Sequence, residues 1–495
     1  MDTVVVAGDP SATIPPEDDA PEIPTPSATA SPQPTPTAIP TIDGRVLNNA
    51  YVFTRGGSNS RPWVVFVRPG ASEAEVYMDG YVSTFGEPSR GRLPMIVGGF
   101  GRSFEPEGDY FYDQRLVLAT LPDAEPVEIA ALTSYYEETA SRYFPSQVPV
   151  EVIRVTQSIA FSEPAWSPDE RYLAFVAAIE GPAADVYVYD SEQGTIERVA
   201  TGPMYASDPV WSPDGRGLLY QEIRYKSNVI PPLRSNPSSL RWVPIGEEQP
   251  YKFVDSSIPM AWHFFHEWLD NQRFTFWSIT PGGGEDEHFS IGNLDTGKSV
   301  RILEDTRSSA TLRVGDEVAI LAAIQSQDNG YEFLLIDGAS GQALPLDFSV
   351  RRRLYTSGLD RFGFFLVSGE EEGLFKVLPD GTVEKLIEMQ GIERMSVSPD
   401  ERKIAVGEFY QALWLYELRS VGSITQPFSL DNARYVWRPD SQALLITCDE
   451  ETTEIATVPD WTVREYSSSC PAWTGLWPGE GRRPVGILWL ESATD

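Results

Sequence analysis

Short apolar runs separated by turn residues recur along most of this chain, and four of them follow nearly the same phrase. WSPDER (166–171) precedes YLAFV, WSPDGR (211–216) precedes GLLYQ, VSPDER (397–402) precedes KIAVG, and WRPDSQ (437–442) precedes ALLIT. A run of this kind, apolar throughout or alternating, fits a strand inside a sheet. Proline fixes φ at the first corner of the turn, and aspartate can accept a hydrogen bond from the backbone two residues on. A further strand follows, as in DVYVYD (185–190), then a glycine-containing turn (192–195) and another strand, IERVAT. Each unit therefore predicts four antiparallel strands. The tryptophan that opens a unit is expected to wedge between one unit and the next.

Trp166 and Trp211 are 45 residues apart, and Val397 and Trp437 are 40 apart. A period of this size with four strands per unit predicts an all-β fold, a β-propeller of four-stranded antiparallel blades. Weaker copies fill the gaps. WLDNQRFTFW (268–277) keeps the tryptophan and places Asn271 in the aspartate slot; RVGDEVAILAA (313–323) and SGLDRFGFFLV (357–367) are shortened versions. Third-strand signals agree at 240–244, 289–295, 333–337, 374–381, 413–418 and 454–460. Units start near 166, 211, 268, 313, 356, 397, 437 and 473. The last holds two strands, and a ring left open would expose two sheet edges. Its partners are expected among 50–55, 62–70, 115–123 and 148–156, so that N- and C-terminal strands share one blade. The count predicted is eight blades, with seven if one weak copy is misread. Residues 71–147 exceed two strands and are read as holding an insertion, with a short helix at 131–144, where apolar residues fall at i, i+3, i+4.

Residues 1–43 are different material. Ten of the first 40 are proline, and no lysine or arginine precedes Arg45. Such a segment cannot bury enough apolar surface to offset its ordering entropy, and it is expected to be an extended stalk or linker. Residues 44–495 then form the single propeller domain. The stalk resembles those that hold exported bacterial domains away from a membrane or wall. The expectation is an extracellular, cell-surface or periplasmic protein, although MDTVVVAGDP lacks the basic start and apolar core of a signal peptide. No apolar run reaches the length of a membrane span.

The chain has 38 basic and 72 acidic residues, a net charge of −34. That sign disfavours nucleic acid and anionic membranes as partners. The acids are scattered, which suits a soluble, self-repelling surface. Cys448 and Cys470 lie 22 positions apart and are the candidate disulfide.

Catalytic signals are sparse. No G-x-S-x-G elbow, calcium-loop motif or H-E-x-x-H helix is present, and no metal or cofactor is expected. The candidate binding residues are Trp262, His263, Phe264, Phe265 and His266, in AWHFFHEW (261–268). Exposed rings there could stack on a sugar or grip a peptide. The loops 223–239 and 279–288 are further candidates for recognition.

The W-S-P-D-G-[KR] pattern resembles the WD40-like (PD40) repeats of TolB-type propellers and is similar to the non-catalytic propeller of prolyl oligopeptidases. The best matches are 164–176, 209–221, 395–407 and 435–447, within a resemblance that covers roughly 160–490. It implies the fold and little about function. TolB has an α/β domain where this chain has its proline-rich segment, and the hydrolase domain of the oligopeptidases has no counterpart in the repeats. The expected function is a non-catalytic binding or scaffold propeller, monomeric or part of a surface assembly, recognising protein, peptide or glycan. The alternative, implied by TolB-like lyases, is a polysaccharide lyase or hydrolase with its site at the central channel.

Overall fold

Strands dominate the computed structural model, and they are grouped into sheets of one repeated design. It describes most of the residues between 51 and 489; 1–50, 137–147, 224–237, 254–261, 280–286, 467–486, 490–495 and shorter connections fall outside it, and side chains are described mainly between 81 and 408. All described residues belong to one unit of the chain, Ala38–Asp495. Among them the strands form nine four-stranded antiparallel sheets. Eight are built from four consecutive strands: the second sheet spans 81–131, the third 165–198, the fourth 205–253, the fifth 262–304, the sixth 306–350, the seventh 354–387, the eighth 392–428 and the ninth 434–466. The first is composite. Ile487–Trp489 pairs antiparallel with Tyr51–Arg55, which continues into Trp63–Val67 and Glu75–Met78. The expected sharing of one sheet by the chain's first and last strands is thus present in the pairing.

Nine sheets exceed the eight units predicted. The difference lies in 71–147, read as an insertion, where Tyr81–Phe85, Arg92–Phe104, Glu107–Thr120 and Val127–Ala131 make a complete sheet. It lacks the W-S-P-D phrase, so its turns gave no signal. Two local readings also change. The segment 131–144 shows only a short turn of 3-10 helix, Ser134–Tyr136, among its described residues. The segment 148–156, read as a strand, instead contributes to the helix Val150–Phe161, here α1. Its β-branched residues and the alternation of Val148, Val150 and Val152 mimic a strand. The longer pattern, Val152, Val155 and Ile159 with Ile153 and Ala160, fits a helix, and all five of those side chains are buried. Burial on more than one side overrides the weak local preference. Pro149 precedes the first turn, and its carbonyl accepts the Ile153 N–H at 3.1 Å. Ser162 is already extended before Glu163–Pro164, which ends the helix.

Helix α1 replaces most of a strand. The first strand of the third sheet is only Ala165–Trp166. The helix packs against the second, third and fourth sheets instead. Thr156 Oγ1 accepts the Phe111 N–H at 3.2 Å, Gln114 Nε2 donates to the Thr156 carbonyl at 3.1 Å, and Ser158 Oγ donates to the Ala206 carbonyl at 2.5 Å. These bonds satisfy buried polar groups and join the helix to the second and fourth sheets.

The core lies between successive sheets. One cluster joins Ile96, Leu116 and Leu118 to α1 and to Phe175 and Tyr187 of the third sheet. Others join Val186 to Leu218, Trp242 to Trp268, and Phe289 to Ile320. A sheet buried on both faces explains the continuous apolar runs. The first strands of the later sheets lie side by side: Thr306–Val314 by Leu354–Asp360, then Ile392–Val397, then Arg434–Trp437.

The repeated turn is locked by its own side chains. Ser212 Oγ donates to Asp214 Oδ1 at 2.7 Å and accepts the Gly217 N–H at 3.3 Å, while Asp214 Oδ1 accepts the Arg216 N–H at 3.2 Å. Ser167–Asp169 and Ser398–Asp400 repeat the arrangement. Gly215 takes a φ of +70°, where a side chain would be strained. In the weaker copy at 268–273, Asp270 and not Asn271 does the work, accepting the N–H groups of Gln272 and Arg273 at 2.8 and 2.7 Å. The tryptophan acts between sheets as expected: Trp211 Nε1 donates to the Ala165 carbonyl at 2.8 Å, and Trp437 Nε1 to the Ser396 carbonyl at 3.0 Å. Among the described residues no helix is long and apolar enough to cross a membrane.

Candidate functional site

The residues singled out in the sequence lie on the first strand of the fifth sheet, Trp262–Trp268, and alternate between its faces. His263 is only 2% exposed. Its Nδ1 lies 2.7 Å from Ser278 Oγ, its ring meets Phe276 edge-on, and its N–H donates to Ser238 Oγ of the fourth sheet at 2.9 Å. Burial lowers its pKa to about 4, so the imidazole is neutral at physiological pH. Phe265 packs on Trp268 and Phe274. His266 sits where the register shifts, between Phe265 and Glu267, and turns to Trp277 and Phe289 with Nδ1 3.0 Å from Thr275 Oγ1. Phe264 is half-buried on the strand opposite Trp277, and Trp262 pairs with Ile279, its side chain lying outside the described residues. The five therefore do not converge on one face.

Strand register adds a juxtaposition the sequence did not reveal. His263, Ser278 and His288 occupy one cross-strand row, and all three are buried. A hydroxyl beside an imidazole is the chemistry of an activated nucleophile. Ser278 is itself only 2% exposed, however, so the pair works as packing. Gln221 Nε2 donates to the His263 carbonyl, and Arg241 grips Glu222 Oε2 through Nε and Nη2 at 3.0 and 2.8 Å, making this end of the fourth and fifth sheets a hydrogen-bonded polar layer. Cys448 and Cys470 lie outside the described residues, as do 224–237 and 280–286 of the two candidate loops. Among the described residues no three His, Cys, Asp or Glu side chains are placed to hold a metal ion.

The second sheet presents a different surface. Its strands Arg92–Phe104 and Glu107–Thr120 pair along their whole length. Tyr81–Phe85 pairs with the first only as far as Gly98, and Val127–Ala131 reaches the second only from Arg115. Residues 99–112 therefore continue as a two-stranded ribbon, six residues per strand or roughly 20 Å at the usual rise. Its root is anchored. Phe111 is 1% exposed and meets Phe161 of α1 edge-on at 5.6 Å, besides donating its N–H to Thr156. The alternate residues, Tyr110 and Tyr112, have ring centroids 6.1 Å apart; Tyr110 is half-buried and packs against the core cluster around α1, whereas Tyr112 is exposed. Their cross-strand partners are Gly101 and Gly99. The Tyr112 ring lies directly over Gly99, where a Cβ would come within 2.1 Å of it. The ring rests on bare backbone, and Tyr112 remains 40% exposed. Asp113, also exposed, follows in a left-handed conformation (φ 51°) where the register shifts. The sequence reading passed over this pair; glycines paired across from tyrosines in GGFGRSFEPEGDYFY were the available signal.

No family model matches the chain, and no curated protein matches it in sequence. Solved structures similar to it include TolB from Acinetobacter baumannii (11% identity, 60% of this chain and 64% of that chain, TM-score 0.32). A eukaryotic initiation factor is similar over 86% of this chain and 97% of its own (12% identity, TM-score 0.48), and the Dos1 propeller over 63% and 84% (10% identity, TM-score 0.41). The chain thus spans somewhat under two thirds of the TolB chain. These likenesses are of fold alone.

Proposed function

We propose that the chain is a binding module: a closed β-propeller, its nine sheets serving as blades, that recognises a partner through surfaces carried on the ring without transforming it. The observation that carries this reading is the ribbon 99–112. It continues beyond the second sheet's outer strands, is fixed at its root by Phe111, and displays Tyr112 over Gly99. Exposed aromatic area on a rigid support is what recognition uses, since little side-chain entropy is lost on contact. The histidines bear on the same conclusion, since His263 is spent on packing and held neutral by burial.

The proline-rich segment 1–43 serves as a stalk in this reading, and the module works outside the cytoplasm. Cys448 and Cys470 are joined there; free-thiol titration under denaturant in protein made under oxidising conditions should find no thiol. The function is tested by screening the purified protein against peptide and glycan arrays. Binding lost in a Tyr112→Ala variant that keeps its circular dichroism spectrum supports the reading. Turnover of a polysaccharide or ester that vanishes in His263→Gln would replace it with the enzyme.

A further inference from the structure

The faces that meet between the fourth and fifth sheets change character along their length. Leu219, Leu240 and Trp242 meet Trp268, Phe274 and Phe276. Two residues farther along the same pleats, the facing side chains are Gln221 and Ser238 on the fourth sheet and Ser278 on the fifth, with His263 and His288 in register on either side of Ser278. All five are more than nine-tenths buried. We infer that this end of the seam is an acid-operated latch: on acidification the two sheets part here, locally, while the rest of the fold stays closed.

The latch has one pin. The His263 N–H donates to Ser238 Oγ at 2.9 Å, Ser238 Oγ donates to the His263 carbonyl at 3.3 Å, and Gln221 Nε2 donates to the same carbonyl. The ring that holds this main chain in place lies edge-on to Phe276, with Nδ1 2.7 Å from Ser278 Oγ. Displacing the ring therefore strains all of these cross-sheet bonds.

Charge decides when the pin moves. His288 shares the row, with Glu304 opposite it in register. On the fourth sheet, Asp208 follows Ser207 in the bulge of the first strand and accepts from Ser207 Oγ at 3.4 Å. Glu222 and Arg241, ion-paired at 2.8 Å, belong to the other pleat and face the third sheet. Farther along the His263 strand come His266, which turns to Trp277 and Phe289 on the far face, and Glu267. Burial lowers the His263 pKa to about 4, and a proton on either histidine of the row disfavours one on the other while the seam is closed. Once the sheets part, the imidazole meets water and titrates near its ordinary 6.5. Between those values only the parted form binds the proton, so its population rises as pH falls, about twentyfold from pH 7 to pH 5. Parting stops at the polar end because Gln221, Ser238 and Ser278 can be hydrated, whereas hydrating the apolar cluster beside them is unfavourable.

The experiment is hydrogen exchange of the full chain, read at single amides and corrected for the intrinsic rate. The His263 amide reports the latch. The Ala206 amide, bonded to the Ala184 carbonyl of the third sheet at 2.7 Å, and the Phe111 amide, bonded to Thr156, report contacts without a histidine. From pH 7 to pH 5 the protection of His263 should fall about twentyfold, and that of the other two less than about twofold. In His263→Gln the fall should vanish. An equal fall at all three amides would be global loosening and would overturn the latch, as would no fall or one that survives His263→Gln. A fall abolished by Glu222→Gln would place the titration on the carboxylate and overturn it too. If His263→Gln does not fold, exchange of the His263 C2 hydrogen in the unmodified chain decides: a midpoint well below 6.5 supports the latch, and one at 6.5 overturns it.

Discussion

If the tryptophans staple each sheet to its predecessor, two substitutions at Trp211 should cost different amounts for separable reasons. The indole is 6% exposed, stacks on Tyr172 at 6.1 Å and donates Nε1–H to the Ala165 carbonyl at 2.8 Å. Trp211→Phe keeps a ring in the cluster with Leu218, Tyr220 and Val188 but removes the donor. The carbonyl it leaves has no replacement in that apolar setting, a loss of about 1–3 kcal/mol. Trp211→Ala removes the ring as well. A side chain of this size buries about 150–250 Å², and its truncation in a core costs about 3–5 kcal/mol. Urea unfolding followed by fluorescence and circular dichroism gives the midpoints, and hydrogen exchange across 165–176 and 205–223 shows where protection falls. The alanine variant should lose roughly 2 kcal/mol more than the phenylalanine variant, with protection lost first between the third and fourth sheets. Trp437→Phe, whose indole donates to Ser396, should reproduce the smaller effect, and the two should add because the sites share no partner. Equal losses for Trp211→Phe and Trp211→Ala, or none for either, would refute the staple.

Other expectations follow from single contacts. The folded His263 has its pKa lowered to about 4 from 6.5, so the unfolded chain takes up the proton first as pH falls. Its contribution is complete above pH 6.5 and drains away between there and pH 4, about 3 kcal/mol in all; the difference between wild type and His263→Gln in urea midpoints should shrink over that window, and a flat difference would sink the assignment. Ser212→Ala leaves Asp214 and the Gly217 N–H without their shared hydroxyl and should cost about 1–3 kcal/mol, measured by the same unfolding assay. Gly99→Val forces the Tyr112 ring off the backbone, so it should weaken any array ligand whose binding needs Tyr112 while leaving the far-UV spectrum unchanged. Ile153→Pro interrupts α1 and should cost about 3 kcal/mol or more.

The repeated sheets were legible because their signals are local. Pro168 and Pro213 set a turn corner, Asp169 and Asp214 accept a backbone N–H two residues on, and the following runs are apolar because both faces of their sheets are covered. Each of these needs only neighbours in sequence. Asp270 shows how far such matching can slip. Alignment on the tryptophan put Asn271 in the acceptor slot, yet the side chain one position earlier has the reach to cap two N–H groups. Helix α1 failed to register for the opposite reason. Val150, Val152, Ile153 and Val155 favour a strand taken alone, and the walls that make a helix the better solution, Leu116, Leu118 and Phe175, come from distant parts of the chain. The second sheet was invisible as a unit because its turns use other chemistry, including the Arg92–Ser89 backbone pairing.

The candidate site shows the same division more sharply. Composition drew attention to AWHFFHEW because histidines are rare and aromatics dense there. Yet on a strand covered from both sides, density of that kind is what burial requires: Phe265 serves one core layer and His266 the other. The ribbon bears an equally aromatic string, FYDQ after GDY, but there the pleat separates anchor from display. Phe111 is taken by α1, Tyr110 packs at the edge of the core cluster, and Tyr112 is left where the opposite strand supplies Gly99. What distinguishes the exposed Tyr112 from a packing aromatic is therefore the residue paired across from it, a property of register. Register here is fixed by the shift at Gly98 and Asp113, where a Cβ on Gly98 would come within 2.7 Å of the Tyr112 carbonyl. Moving that shift by one residue would exchange the two faces, putting Phe111 in solvent and the tyrosines against the helix. The glycines at 98 and 99 thus tie the position of the bulge to the exposure of the Tyr112 ring.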